Sequence, residues 1–515
     1  MSSSAPVLQL VLTWGSRTWK FFDLNYTDSG STLSASPDGG RADGVLAPID
    51  IEEVISLYGA DSAPTDQAIP IEVAWPGLTE LLRDGELDWA DWTAALYLDD
   101  VLILAGHLED PQWDERGLSA SVSLRLSQDA GTCLPPSWVA TTTHWPAIEG
   151  AGEGRAYPLV VGAPSVYTGA AGAARAARGS PGIGAWASGG EPYLVVVAGH
   201  PVQATTLYVE NEDLADIELL TVSTQTDALG QQVAACDCTA QMISSGWTLA
   251  HRYWVWWPTA GGIQGHPDIR GAGDLLLHLL ARSSLPVDLP AWEGIRSRAN
   301  AYRISGYIDD PSTSVWEWIS SALLPLLPLT TTLQEGLLRP IWWEWLQTLT
   351  PTRTLIEGES CSRVGPVRLA AQGGGLASTL TLSWAPDAST GDYLRRRTLS
   401  GDPAHEGLTD HWCLDGVRQS WRRYGPRRLE LESAYVGDQA TADLILQRIA
   451  AARALPRLEV EVEVWDTSRP LYLGQAVSLT LNPALLPAAR TCLVTSLRRS
   501  AGGLLRAGLV SQRPT

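Results

Sequence analysis

Thr441-Ala442-Asp443-Leu444-Ile445-Leu446-Gln447-Arg448-Ile449-Ala450-Ala451-Ala452-Arg453-Ala454 is followed, across Leu455-Pro456, by Arg457-Leu458-Glu459-Val460-Glu461-Val462-Glu463-Val464-Trp465. The first run places apolar residues at helical spacing and predicts a helix over 438–454. Pro456 stops it, because proline cannot continue the intrahelical ladder. The second run alternates strictly and predicts a strand. Its pattern puts Leu458, Val460, Val462 and Val464 on one face and Glu459, Glu461 and Glu463 on the other. The acidic face is the one expected to meet solvent, a channel or a partner. A turn and a second strand follow over Leu471–Leu481, then two more strand-like runs lead to Thr515. The last 80 or so residues therefore read as a helix feeding an antiparallel sheet, with no constellation of catalytic residues.

Working outward, 515 residues exceed one ordinary core, so roughly three or four domains are expected. Hydrophobic content of 45% with 18% charged residues is that of a folded chain. The formal charge of −21 argues against stable binding of nucleic acid, which needs clustered positive charge. Only Lys20 is a lysine, and there are 23 Trp against 2 Phe. A GC-rich coding sequence accounts for that bias; a tryptophan surface that stacks on sugars is the alternative. The six cysteines are scattered, with Cys236 and Cys238 as a CxC pair and no second pair at zinc spacing. Free thiols in a reducing compartment are expected. Met1-Ser2-Ser3-Ser4-Ala5-Pro6 lacks the basic and apolar regions of a signal peptide, and Ala322–Leu329 is too short and proline-rich to span a bilayer. A soluble protein with no membrane insertion is expected.

The fold class read from the pattern is mainly β with α+β insertions, in several domains. Residues 1–150 form an N-terminal β domain, with strands at Val7–Leu12, Ile71–Trp75 and Leu118–Leu126 and a hairpin of 92–98 with 101–106 across Asp99-Asp100. Ile69-Pro70 is a weak strand start, because proline cannot donate to a ladder. Residues 151–265 form a small β domain, in which Gly169–Gly190 reads as an exposed Gly/Ala-rich loop. Residues 266–365 read as an α+β middle domain, with helices over 272–282 and 314–324. Residues 366–515 form a C-terminal β domain containing the helix at 438–454.

Known catalytic patterns are missing. No P-loop, GxGxxG, GxSxG or HExxH spacing occurs. Asp99-Asp100 and Asp309-Asp310 sit in turns, where aspartate bonds to the backbone. His278 falls in an apolar helix and reads as a core histidine. His405 and His411, with Asp402, Glu406, Asp410 and Cys413, make the best metal-like cluster, but an exposed loop explains it. The expectation is no enzyme, no cofactor and no metal. Trp254-Val255-Trp256-Trp257 and Trp342-Trp343-Glu344-Trp345 put aromatics on both faces of a strand, which suits a core or a subunit interface. Trp254, Trp256, Trp257, Trp342, Trp343 and Trp345 are the candidate interface residues.

Four segments give the chain a wider context. They are Gly154–Gly162, with Tyr157-Pro158-Leu159-Val160-Val161-Gly162; Ser314–Ile319, followed by Leu327-Pro328 and Glu335-Gly336-Leu337; Ser420–Gly425, ending Tyr424-Gly425; and Leu473-Gly474-Gln475-Ala476-Val477-Ser478-Leu479-Thr480. In these, the chain resembles the tail-hub proteins of tailed bacteriophages, with Gln475 standing where an acidic residue is more usual. Tyr157 and Tyr424 thereby join the candidate interface residues. The resemblance implies barrel or sandwich modules, two barrel-like domains per chain, and a homotrimeric ring at the tail tip or baseplate. It implies docking on the tail tube or distal tail protein, the tape-measure protein and a tip fibre or spike. DNA would pass through a gated lumen. Localisation would be the virion, after assembly in the host cytoplasm. The alternative is a virion-associated receptor- or carbohydrate-binding tail protein.

Overall fold

A computed structural model describes residues 7–23, 44–47, 49, 51–54, 67–75, 78, 92–98, 101–114, 117–124, 126, 130–146, 148, 152–164, 178, 180–186, 192–257, 264–343, 349–370, 375–465, 471–483, 486, 488–499 and 504–511. Strands hold 46% and helices 18% of the described residues, so the fold is mainly β.

The first module is a closed barrel. Its strands run Leu8–Trp14, Arg17–Asp23, Gly44–Leu46, Gln67–Ala74, Gly117–Leu124, Val101–Trp113 and Thr93–Leu98 around the ring. Closure follows because Leu8–Trp14 pairs with Arg17–Asp23 on one side and Thr93–Leu98 on the other. Alternation sends Leu8, Leu10 and Leu12 inward, opposite Leu118, Ala120 and Val122. Trp14, Trp19 and Trp75 gather around the fully buried Trp92, with ring centroids 4.9–6.1 Å from it. Pro70 sits inside a strand, not at its weak start. It is tolerated because the second neighbour, Gly44–Leu46, pairs only with Val73 and Ala74. The Asp99-Asp100 turn lies outside the described residues.

The second module is also a closed barrel, ordered Ser180–Trp186, Tyr193–Ala198, Gln232–Asp237, Asp216–Thr226, Thr206–Asn211 and Tyr253–Trp256. Here the reading of Gly169–Gly190 as a loop is corrected. Ser180–Trp186 is the strand that closes the ring, pairing with both Tyr193–Ala198 and Tyr253–Trp256. Its glycines serve close packing: a Cβ on Gly182 would stand 2.6 Å from Val195 Cγ1, and one on Gly184 2.8 Å from the Leu249 carbonyl oxygen. Small residues that looked like loop composition are what lets the barrel close.

Helices cover the middle of the chain. Ala272–Leu280 is buried, and Leu289–Ala299 packs beside it. The latter was not anticipated; Asp288 caps it, accepting from Ala291 N–H at 3.1 Å. Ser314 caps Val315–Trp318, accepting from Glu317 N–H at 3.1 Å. That helix widens into a π turn over Ile319–Leu323 and tightens to a 3-10 turn over Leu324–Leu326, because Pro325 has no N–H to offer.

Two further sheets follow. One has four strands in the order His411–Trp412, Tyr393–Ser400, Thr379–Pro386, Arg428–Ser433, covered by helices Asp415–Tyr424 and Gln439–Arg453. The other has eight strands. Its path runs Arg353–Ile356, Ala476–Thr480, Arg490–Arg499, Leu505–Ser511, Arg457–Val464, Cys361–Arg363, with Arg368–Ala370 and Ile51–Val54 attached. Residue 365 thus lies between two strands of one sheet, and residues 51–54 reach it from between two strands of the first barrel. The stretch 471–481 is a strand only from Ala476; Leu473-Gly474 turns. Buried Val460, Val462, Val477, Leu479, Val494 and Leu509 form a core made almost wholly by this sheet's own strands.

Candidate assembly surfaces

The residues singled out as interface candidates divide by depth. Tyr157, Trp256 and Trp257 are fully buried inside the chain, and Trp343 is 5% exposed. Their own fold covers them, so they need no partner. Tyr157 accepts from Trp145 Nε1–H at 2.6 Å beneath the outer face of the second barrel. Trp257 belongs to the interior cluster of that barrel, with Cys236 and Cys238. Trp254, Trp342 and Tyr424 are half-buried, and Trp345 lies outside the described residues. Of the large aromatics among the described residues, Trp113 and Trp465 are about half exposed.

Trp254 is held rather than free. Its Nε1–H donates to Glu212 at 2.9 Å, and the Arg178 guanidinium lies over its ring at 5.6 Å. Arg178 in turn grips Glu210 with two hydrogen bonds, 2.7 Å from Nε and 3.1 Å from Nη2, and reaches Glu212 at 3.2 Å. Glu210 is fully buried, so this guanidinium is what makes its charge tolerable there. The Arg178 carbonyl also accepts from Ala388 N–H at 3.0 Å, tying the second barrel to the four-stranded sheet. Trp342 is similarly fixed, with Arg448 of helix Gln439–Arg453 over both its ring (5.7 Å) and that of Tyr302 (4.8 Å).

The face of Glu459, Glu461 and Glu463 meets solvent, with Glu461 exposed and the other two half-buried, but it is not purely acidic. Neighbouring strands place arginines against it: Arg368 is in register with Glu459, and Arg506 with Glu463. Glu52, Arg498, Arg506 and Glu463 form one row across four strands. The surface is a ladder of both signs, because register brings in partners that one strand's sequence does not show.

Grouped chemistry is sparse. Among the described residues no set of three or more His, Cys, Asp or Glu is placed to hold a metal. His405 and His411 do come together, with ring centroids 4.7 Å apart. The acids beside them are engaged locally: Asp402 accepts from Ala404 N–H, and Glu406 pairs with Arg418 at 3.0 Å. Asp310 accepts from Ser312 and Thr313, which holds its carboxyl below the usual carboxylate range. All six cysteines are free. Burial pushes the thiols of Cys133, Cys238 and Cys492 up to about 12, and that of Cys361 to about 11. At neutral pH these are inert thiols, not nucleophiles.

One grouping was not anticipated. His200, His266 and His278 form a contiguous row, with centroids 4.7 and 4.8 Å apart and the rings tilted or edge-on to one another. They come from the end of a barrel strand, a loop and a helix, and only the fold brings them together.

No family model and no curated protein matches the chain. Among solved structures, it aligns with a tail protein from Neisseria meningitidis MC58 over 98% of this chain and 96% of that one, at 9% identity and a TM-score of 0.36. A 43 kDa tail protein of prophage MuSo2 from Shewanella oneidensis aligns over the same shares at 11% identity and a TM-score of 0.36. Prophage tail protein gp18 from Listeria monocytogenes EGD-e covers 62% of this chain and 85% of its own, at 10% identity and a TM-score of 0.23. Similarity at this level transfers no function.

Proposed function

We propose that this chain is a structural protein of a phage tail, the hub of the tail tip or baseplate. Three copies would close a ring joining the tube or distal tail protein to the tip fibre or spike, with DNA passing through its lumen. The observation that carries the reading is the pair of closed barrels in one chain. Two such domains per chain are what the resemblance to tail hubs implies, and three copies would then present 3 × 2 barrels as a pseudo-six-fold surface. The four segments that carry the resemblance support it by their positions. Leu159–Val161 pairs with Gly306–Ile308, linking the second barrel's flank to the helical layer. Ser314 caps the buried Val315–Trp318 helix; Tyr424 ends the helix over the four-stranded sheet; Leu473–Thr480 turns into the eight-stranded sheet. Leu159–Val161 and Leu473–Gly474 are joints between modules, as an assembly protein requires.

Light scattering of the purified chain tests this. A mass three times that of the chain, or a trimer formed on mixing with the tube or distal tail protein, is expected. A persistent monomer that binds a defined glycan on an array would instead favour the receptor-binding alternative.

A further inference from the structure

The row of three histidines lies where the second barrel meets the helical layer. His200 follows strand Tyr193–Ala198, His266 lies in the loop before helix Ala272–Leu280, and His278 is on that helix. Backbone bonds cross the same joint: Gly265 N–H donates to Gly162 O at 2.9 Å and His266 N–H to Val160 O at 2.9 Å. His200 completes it. Its Nε2 accepts the Val160 N–H at 3.0 Å, and its Nδ1 lies 2.8 Å from the Pro201 carbonyl oxygen. The two bonds are compatible only with the neutral ring protonated at Nδ1. A second proton would set an N–H of the ring against the N–H of Val160, with no acceptor between them.

The surroundings oppose that proton. Arg282 lies one helical turn beyond His278 with its guanidinium 5.2 Å over the Trp138 ring, and Trp138 is itself 6.5 Å from His200. On the helix side, His278 borders a cleft with Asp268, Asp274, Glu293 and Arg296. Asp274 is taken by Arg296 at 2.6 Å, and Glu293 by the same arginine at 3.0 Å. Asp268 is exposed; its backbone N–H donates to His266 Nδ1 at 3.3 Å. His278 Nε2 is buried with no hydrogen-bond partner among the described residues. Three adjacent imidazoles therefore face one guanidinium with no carboxylate partner among the described residues and one solvated carboxylate.

We propose that His200, His266 and His278 form an acid-sensitive latch, which fastens the second barrel to helix Ala272–Leu280 while neutral and releases it when protonated. This is a regulated opening of the chain, independent of whether it assembles into a ring.

The sign follows from burial, which holds His200 and His278 down to about 3 and lowers His266 as well. A histidine depressed in the closed joint, and returned to about 6.5 in the open one, stabilises closure above that value and loses it as pH falls. Between pH 7 and 5, opening gains roughly 25-fold for each of His200 and His278.

Amide hydrogen exchange on the full chain, expressed as protection against intrinsic rates from pH 7.5 to 4.5, measures this. The amides of Val160, Gly265 and His266 should lose protection with falling pH, while those of Leu8–Trp14 in the first barrel keep theirs. His200→Gln retains an acceptor and a donor without titrating, and with His266→Gln and His278→Gln it should flatten the profile. His278→Gln alone, which leaves the Val160–His200 bond intact, should weaken the dependence partly. Joint amides that stay protected at pH 4.5, loss that coincides with both barrels, or an unchanged profile in the variants would each overturn the latch.

Discussion

Gly474 shows how much a single position carries. Its φ is +74°, and a Cβ there would run into the Ile341 side chain, so both backbone and space demand glycine. Its N–H donates to Val494 O at 2.8 Å, pinning the turn to the sheet. Gly474→Val should cost ~3 kcal/mol, from left-handed strain plus overpacking, and calorimetry would show a lower Tm; an unchanged Tm would contradict the turn. Gln475 next to it also has a reason. Its Oε1 accepts from Tyr472 N–H at 3.2 Å, and its Nε2 donates to Thr352 at 2.7 Å. A carboxylate could do the first but not the second. Arg178 supports the other test at this scale. Arg178→Met strands the buried Glu210 and should cost ~3–5 kcal/mol, whereas Arg178→Met with Glu210→Leu should recover much of it in the same melt. The glycine turn could be anticipated from sequence. The Arg178–Glu210 pair could not, because 32 positions separate the partners and only barrel closure joins them.

At the scale of elements, strong periodicity was legible and small side chains were misleading. Arg457–Val464 forms as its alternation requires, and helix Gln439–Arg453 ends just before Pro456. Ser180–Trp186 hides its strand character, because a tight barrel wants glycine where a propensity reading sees a loop. Deleting residues 168–190 therefore removes the closing strand. The expected result is aggregation or loss of cooperative melting, and a soluble deletion with an unchanged melt would contradict the closure. Ile51–Val54 was missed for another reason. Its partner, Ser496–Arg499, lies more than 400 residues away, and short strands advertise no register. The row of histidines was illegible on the same grounds, since its members share no spacing in the chain. Even His278, read as a core histidine, takes its meaning from neighbours on other elements.

For the whole molecule, sequence conveyed the mainly β class and the modular build, while the paths between modules emerge only in three dimensions. Residues 51–54 leave the first barrel to join the last sheet, so the two ends of the chain are fastened together. Replacing Ile51–Val54 by a Gly/Ser segment should leave both barrels folded but speed amide exchange in Ser496–Arg499; unchanged exchange there would mean the strand contributes nothing to the sheet. Burial also changes the role of the tryptophans. Trp92, Trp256 and Trp257 are core, whereas Trp254 and Trp342 of the same Trp-rich runs are half-buried. The central claim is that this two-barrel chain builds a ring, and electron microscopy of the purified protein, alone and with its tube or distal tail partner, tests it most directly. Class averages should show a three-fold ring with six peripheral lobes around an open centre; single particles of one chain, or an open filament, would contradict the claim.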